Sequence, residues 1–157
     1  MFWRRGHAGR NDEANTVIMA MALPTSTLRL RILVLEDEDP VRDILTRVLK
    51  AQGHSVEASN RGADALAIFH RDKFDLVITD LVMPEMRGDV FAAIIKATIP
   101  APPVIMFTAN AVRPLRQPQP NIDYLLPKPA SVEDLLEAIA LVTSNATFSG
   151  ESGDAPR

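Results

Sequence analysis

From residue 30 to 36 the chain reads LRILVLE, an apolar run broken only by Arg31, as expected of a strand buried on both faces. The period then changes. Val41, Ile44, Leu45, Val48 and Leu49 recur at the spacing of one helix face. Asp39 is placed to cap that helix, Pro40 to occupy its first turn and Gly53 to end it. HSVEAS is a short strand, and Gly62, Ala65, Leu66 and Phe69 mark the inner stripe of a second helix. FDLVITD (74–80) is the next buried strand, MPEMRG a loop, and Phe91, Ile94 and Ile95 the inner face of a third helix. PVIMF (103–107) and IDYLL (122–126) complete the strands. Ser131 with Asp134 forms a capping-box pattern ahead of a last helix that turns Val132, Leu135, Leu136 and Ile139 inward.

Strands alternating with helices predict an α/β fold: a doubly wound, five-stranded parallel sheet of flavodoxin-like order 2-1-3-4-5. One section breaks the pattern. Eight of the twelve prolines lie between Pro100 and Pro129, and VRPLRQPQPN (112–121) holds three where a fourth helix belongs. Proline in a helix interior costs about 3 kcal/mol or more, so helix 4 is expected to be short, displaced or absent. The domain limits read as a flexible N-terminal tail over 1–28, a folded domain over 29–143 and a flexible polar tail over 144–157.

Composition narrows the function. The chain has 157 residues, 46% of them apolar, enough for one domain with a real core. A formal net charge of -3 offers no basic excess for nucleic acid. No apolar run approaches the length needed to span a bilayer, so no membrane partner is expected. A signal peptide would want a longer apolar core closer to the early arginines than the short run VIMAMAL, so a tail is expected there instead. There are no cysteines, which excludes a disulfide scaffold and permits a cytoplasmic location.

The chemistry concentrates at strand ends. The first strand runs into four successive carboxylates, Glu36, Asp37, Glu38 and Asp39. In such a sheet ligands bind beyond the carboxyl ends of the strands, at the switch in strand order. Asp80 ends the third strand, Thr108 the fourth, and Lys128 follows the fifth. Four polar features from four strands thus converge on one rim, where clustered carboxylates call for a cation.

ILVLEDEDPVRDIL, DLVITDLVMPEMRG, PVIMFTA and LLPKP together resemble the receiver domain of bacterial two-component response regulators, over roughly residues 29 to 143. The resemblance implies a signalling receiver that catalyses only its own phosphorylation and dephosphorylation. Asp80 would accept the phosphoryl group. Glu36, Asp37, Asp80 and the backbone carbonyl of Val82 would hold Mg²⁺. Thr108 would hydrogen-bond a phosphoryl oxygen, and Lys128 would pair with another. Glu38 and Asp39 stand outside that set, and Gly88 reads as a conformational requirement. Lys128–Pro129 is expected to be cis. His54 and His70 read as surface residues.

The resemblance has departures. The switch aromatic expected three residues before the lysine is Leu125, with Tyr124 one earlier, so either the aromatic is missing or the register is shifted. The resemblance implies that Val82, two after Asp80, and Asn110, two after Thr108, would border the water that attacks the phosphoryl group, and an apolar Val82 there predicts a long-lived phosphate. The leading function is a stand-alone phospho-receiver, phosphorylated by a sensor histidine kinase or phosphotransfer protein and read out by an unknown protein partner. The alternative is a non-phosphorylated interaction module that keeps the fold but has an altered output face. A flavodoxin-like enzyme fits worse: a phosphatase of that kind wants a carboxylate where Val82 stands, and the acidic loop after the first strand repels a flavin phosphate.

Overall fold

The computed structural model describes residues 29–109 and 120–147. The predicted sheet is present, with five parallel strands in the order β2-β1-β3-β4-β5. These are β1 (Arg31–Leu35), β2 (Ser55–Ser59), β3 (Leu76–Thr79), β4 (Val104–Thr108) and β5 (Tyr124–Pro127). The helices are α1 (Asp39–Ala51), α2 (Gly62–Arg71), α3 (Gly88–Lys96) and, at the C-terminal side, α4 (Val132–Thr147). The helix expected between β4 and β5 would fall on 112–121, most of which lies outside the described residues, as does Asn110.

Each sheet face has its own core. Ile32, Val34, Leu76, Ile78, Ile105 and Leu126 pack with Leu45 and Leu49 of α1 and Leu135, Ala138 and Ile139 of α4. Leu33, Leu35, Val77 and Val104 pack on the opposite face with Ala65 of α2 and Phe91, Ala92 and Ile95 of α3. Alternate residues of one strand enter different cores, which is why the central strands are apolar without alternation. Parallel strands joined by right-handed crossovers bring every strand's carboxyl end to the same rim.

Several boundaries differ from the sequence reading. Glu38, not Asp39, is the N-cap of α1; Asp39 is its first residue and its carboxylate pairs with Arg42 one turn on. Ile44 (62% exposed), Ile94 (36%) and Val132 (41%) face outward, so the buried stripes are narrower than the periodicity implied. β5 starts two residues later than IDYLL suggested; just ahead of it the Asp123 carboxylate accepts the Val104 amide and pairs with Lys96 of α3, each at 2.6 Å. α4 continues through Thr147 into the expected polar tail. There the Thr143 and Ser144 hydroxyls donate to the Ile139 and Ala140 carbonyls, each at 2.7 Å, so these polar residues are satisfied within the helix. The Ser131–Asp134 capping box forms as predicted, with reciprocal bonds of 2.9 and 3.1 Å. His70 is exposed, whereas His54 is half-buried and its Nδ1 accepts the Leu30 amide at 3.4 Å. Among the described residues no helix is long and apolar enough to cross a membrane.

Candidate functional site

The rim at the carboxyl ends of β1, β3 and β5 collects the charged residues. Glu36 follows β1 directly; its amide donates to the Ser59 carbonyl at 3.1 Å, which continues the β1–β2 ladder one residue further. Asp80 follows β3 and its amide donates to the Leu35 carbonyl at 3.0 Å. Backbone pairing thus fixes both acidic residues side by side before their side chains are considered. Both are buried, at 1% and 7% exposure.

Lys128 joins them. Its Nζ lies 2.8 Å from Glu36 Oε2 and 2.8 Å from Asp80 Oδ2, and 3.7 Å from Glu38 Oε1. The lysine is aimed from β5, where its amide donates to the Thr108 carbonyl at 2.9 Å, and its ammonium sits 5.2 Å from the centre of the Phe107 ring. The Lys128–Pro129 peptide is cis, as expected. Asp80 Oδ1 accepts the Leu81 amide and, at 3.3 Å, the Val82 amide, so its two oxygens face different partners. Thr108 is fully buried at the end of β4.

The electrostatics follow from this geometry. Burial pushes the Glu36 carboxyl above its usual range; the Lys128 hydrogen bond and charge pull it down, and Asp80 pushes it up again. Burial would lower the Lys128 ammonium, but hydrogen bonds to Asp80 and Glu36 outweigh it and hold the group above its usual value. One ammonium therefore serves two buried carboxylates and leaves the pocket net negative.

Oxygens of Glu36, Glu38 and Asp80 lie within 4.8 Å of one another. A cluster of hard oxygen donors with excess negative charge suits Mg²⁺. Glu38 belongs to this cluster, although the sequence placed it outside the site; nothing in its local pattern distinguished it from a solvated acid. Asp37, half-buried next to Glu36, is not among the three. Val82 is 51% exposed at the mouth.

Three supporting residues were not legible as such. Arg42 reaches back from α1 and donates to the Glu36 carbonyl at 2.9 Å, holding the acidic turn. Phe107 read only as part of a strand. Gly88 was read as a conformational glycine, but the reason is space: a Cβ there would lie 1.8 Å from the Asp80 carbonyl oxygen. Its amide donates to the Leu81 carbonyl at 2.9 Å, so α3 begins pressed against the backbone that carries Asp80.

The sheet pairing places both residues of the switch region. Leu125 pairs with Met106 in the sheet, and Tyr124 packs with the core under α1 and α4. Leu125 is the residue three before Lys128, and Tyr124, on the other face of the strand, joins the core.

Comparison with known proteins agrees with this fold. Residues 32–140 match the model of the response regulator receiver domain. The chain belongs to that family. Curated relatives include the response regulator MprA of Mycobacterium leprae, 33% identical over 70% of this chain and 49% of that protein. The transcriptional regulatory protein GlrR of Escherichia coli is 37% identical over 68% of this chain and 25% of that protein. The chain thus spans half or less of the length of these relatives. A receiver domain protein from Clostridium thermocellum superposes with TM-score 0.66 at 27% identity, covering 76% of this chain and 98% of that one. The response regulator TrrA of Thermotoga maritima, solved in complex with Mg²⁺–BeF, superposes with TM-score 0.65 at 29% identity, covering 71% of this chain and 97% of that one.

Proposed function

We propose that this receiver is a Mg²⁺-dependent phospho-acceptor, with Asp80 as the residue phosphorylated. The observation that carries the reading is Lys128 bridging Glu36 and Asp80 at 2.8 Å each, at the strand-order switch of a receiver sheet. An Asp80 carboxylate oxygen attacks the phosphorus of a phosphohistidine on a sensor histidine kinase or phosphotransfer protein. The new P–O bond forms as the P–N bond breaks, and the electron pair leaves with the imidazole. Glu36, Asp37, Asp80 and the Val82 carbonyl would hold the cation, with Glu38 close enough to join through water. When bound, Mg²⁺ would offset the negative charge of the transferring phosphoryl group. The Thr108 hydroxyl and the Lys128 ammonium would each take one phosphoryl oxygen, which requires Lys128 to leave a carboxylate.

In this reading the output of the receiver is contact with a protein partner, not with nucleic acid. The test is intact mass after incubation with Mg²⁺ and a small-molecule phosphodonor. A phosphoryl adduct is expected on the wild type and not on Asp80→Asn; an adduct on both proteins would move the site elsewhere. Val82→Asn is expected to shorten the lifetime of the adduct, because an amide at the mouth can orient water and an isopropyl group cannot; an unchanged decay rate would remove Val82 from that role.

A second reading, an interaction module that is never phosphorylated, draws support from Leu125 at the switch position. An absence of adduct from both small-molecule and kinase donors would favour it.

A further inference from the structure

The corner between β2 and α2 touches both halves of the acidic site. Ser59 closes β2, and its carbonyl is the acceptor for the Glu36 amide. Its buried hydroxyl folds the next residues into a tight turn, accepting the Arg61 amide at 3.2 Å and donating to the Arg61 carbonyl at 3.0 Å. From that turn the Arg61 guanidinium reaches both oxygens of Glu85, at 3.2 and 3.1 Å. The next residue, Gly62, receives Met86: a Cβ on Gly62 would lie 2.8 Å from both the Cβ and the Sδ of that methionine. Two successive residues of the corner thus grip two successive residues of the loop between Asp80 and Gly88.

Glu85 also has φ 66°, in the left-handed region that L side chains avoid. A glycine would adopt it freely but could not pair with Arg61. An exposed ion pair commonly contributes little to stability, and here both side chains are more than half exposed. The disfavoured backbone, kept at a residue whose two carboxylate oxygens share one Arg61 nitrogen, points to a role in placement.

We propose that residues 59–62 form a latch that positions the loop carrying Asp80 and Val82 against the end of β1, so that the Glu36 and Asp80 carboxylates and the Val82 carbonyl are presented together to a divalent cation. Arg61 and Glu85 are positioning residues in this device. It rests on the reading of the cation site given above.

The test is Mg²⁺ titration of the full chain, followed by backbone amide NMR shifts of Leu81, Val82 and Gly88, with thermal unfolding of the same variants in the absence of Mg²⁺. Glu85→Gly is expected to keep or raise Tm, since it frees the left-handed position, while the Mg²⁺ Kd rises roughly three- to tenfold. Arg61→Gln is expected to raise Kd similarly. The exchange Arg61→Glu with Glu85→Arg is expected to return Kd to within about twofold of the wild type. Unchanged Kd in both single variants would overturn the latch. A rise in Kd that only tracks a fall in Tm would overturn it too, in favour of general packing. Asp80→Asn separates the two levels: a wild type that binds Mg²⁺ no better than Asp80→Asn overturns the cation site itself, and the latch with it.

Discussion

Glu36 holds the central conflict of the site, a carboxylate almost wholly buried beside another and sharing one ammonium with it. Its folded-state affinity for a proton is raised, so its ionisation opposes folding as pH climbs above the ordinary carboxylate range. Glu36→Gln keeps an acceptor for Lys128 and removes the charge. Without divalent cation it is expected to stabilise the fold at pH 7 by on the order of 1 kcal/mol, read by urea unfolding. Mg²⁺ is expected to reverse the ranking, because the wild type gains more from binding it. His54 gives a second pH signature with the opposite sign. Burial lowers its proton affinity below the usual 6.5, so the unfolded chain takes up the proton first. The contribution is fully present above pH 6.5 and is lost as pH falls from there through the folded value. His54→Gln is expected to flatten the dependence of unfolding free energy on pH in that window. At this scale the sequence was informative through convergence: Asp80 and Lys128 stand at strand ends that the topology brings to one rim, and their side chains meet at 2.8 Å. It left Glu38 outside the site and read Gly88 as conformational, because both roles depend on Asp80, which the fold and not the local pattern brings beside them.

Helix ends show the same division. The Ser131–Asp134 box was legible because both partners lie within four residues, and the reciprocal bonds form. Ser131→Ala is expected to destabilise the fold by about 1 kcal/mol, measured by thermal or chemical unfolding. The start of α1 was misplaced by one residue because Asp39 finds Arg42 on the helix and is not needed as a cap. The start of α3 is set by contact and not by capping. Gly88→Ala would drive a methyl group into the Asp80 carbonyl, and a cost of about 3 kcal/mol or more is expected, with loss of Mg²⁺ binding in whatever fraction remains folded. Outward Ile44, Ile94 and Val132 belong to the periodic pattern yet face solvent, since periodicity gives the direction of a stripe and the neighbouring layer decides its width.

Across the whole molecule the architecture was the most legible level. Unbroken apolar strands imply two covered faces, and strand–helix alternation implies parallel order, so topology followed from pattern alone. The same topology makes the site a product of distant segments: Lys128 and Glu36 lie 92 residues apart in the chain. The acidic pair sits on β1 and β3, next to each other in the middle of the sheet, and its counter-charge arrives with the last strand to be synthesised. A folding chain that has joined β1 to β3 but not yet docked β5 carries two crowded carboxylates with no ammonium between them. Their repulsion opposes the joining of β1 to β3 until a positive charge arrives between them. A divalent ion can stand in for the missing lysine during that interval, so millimolar Mg²⁺ is expected to accelerate refolding of the wild type in stopped-flow experiments and to have little effect on Asp80→Asn. The arrangement that prepares the pocket for a cation would then also make the cation an assistant in building it.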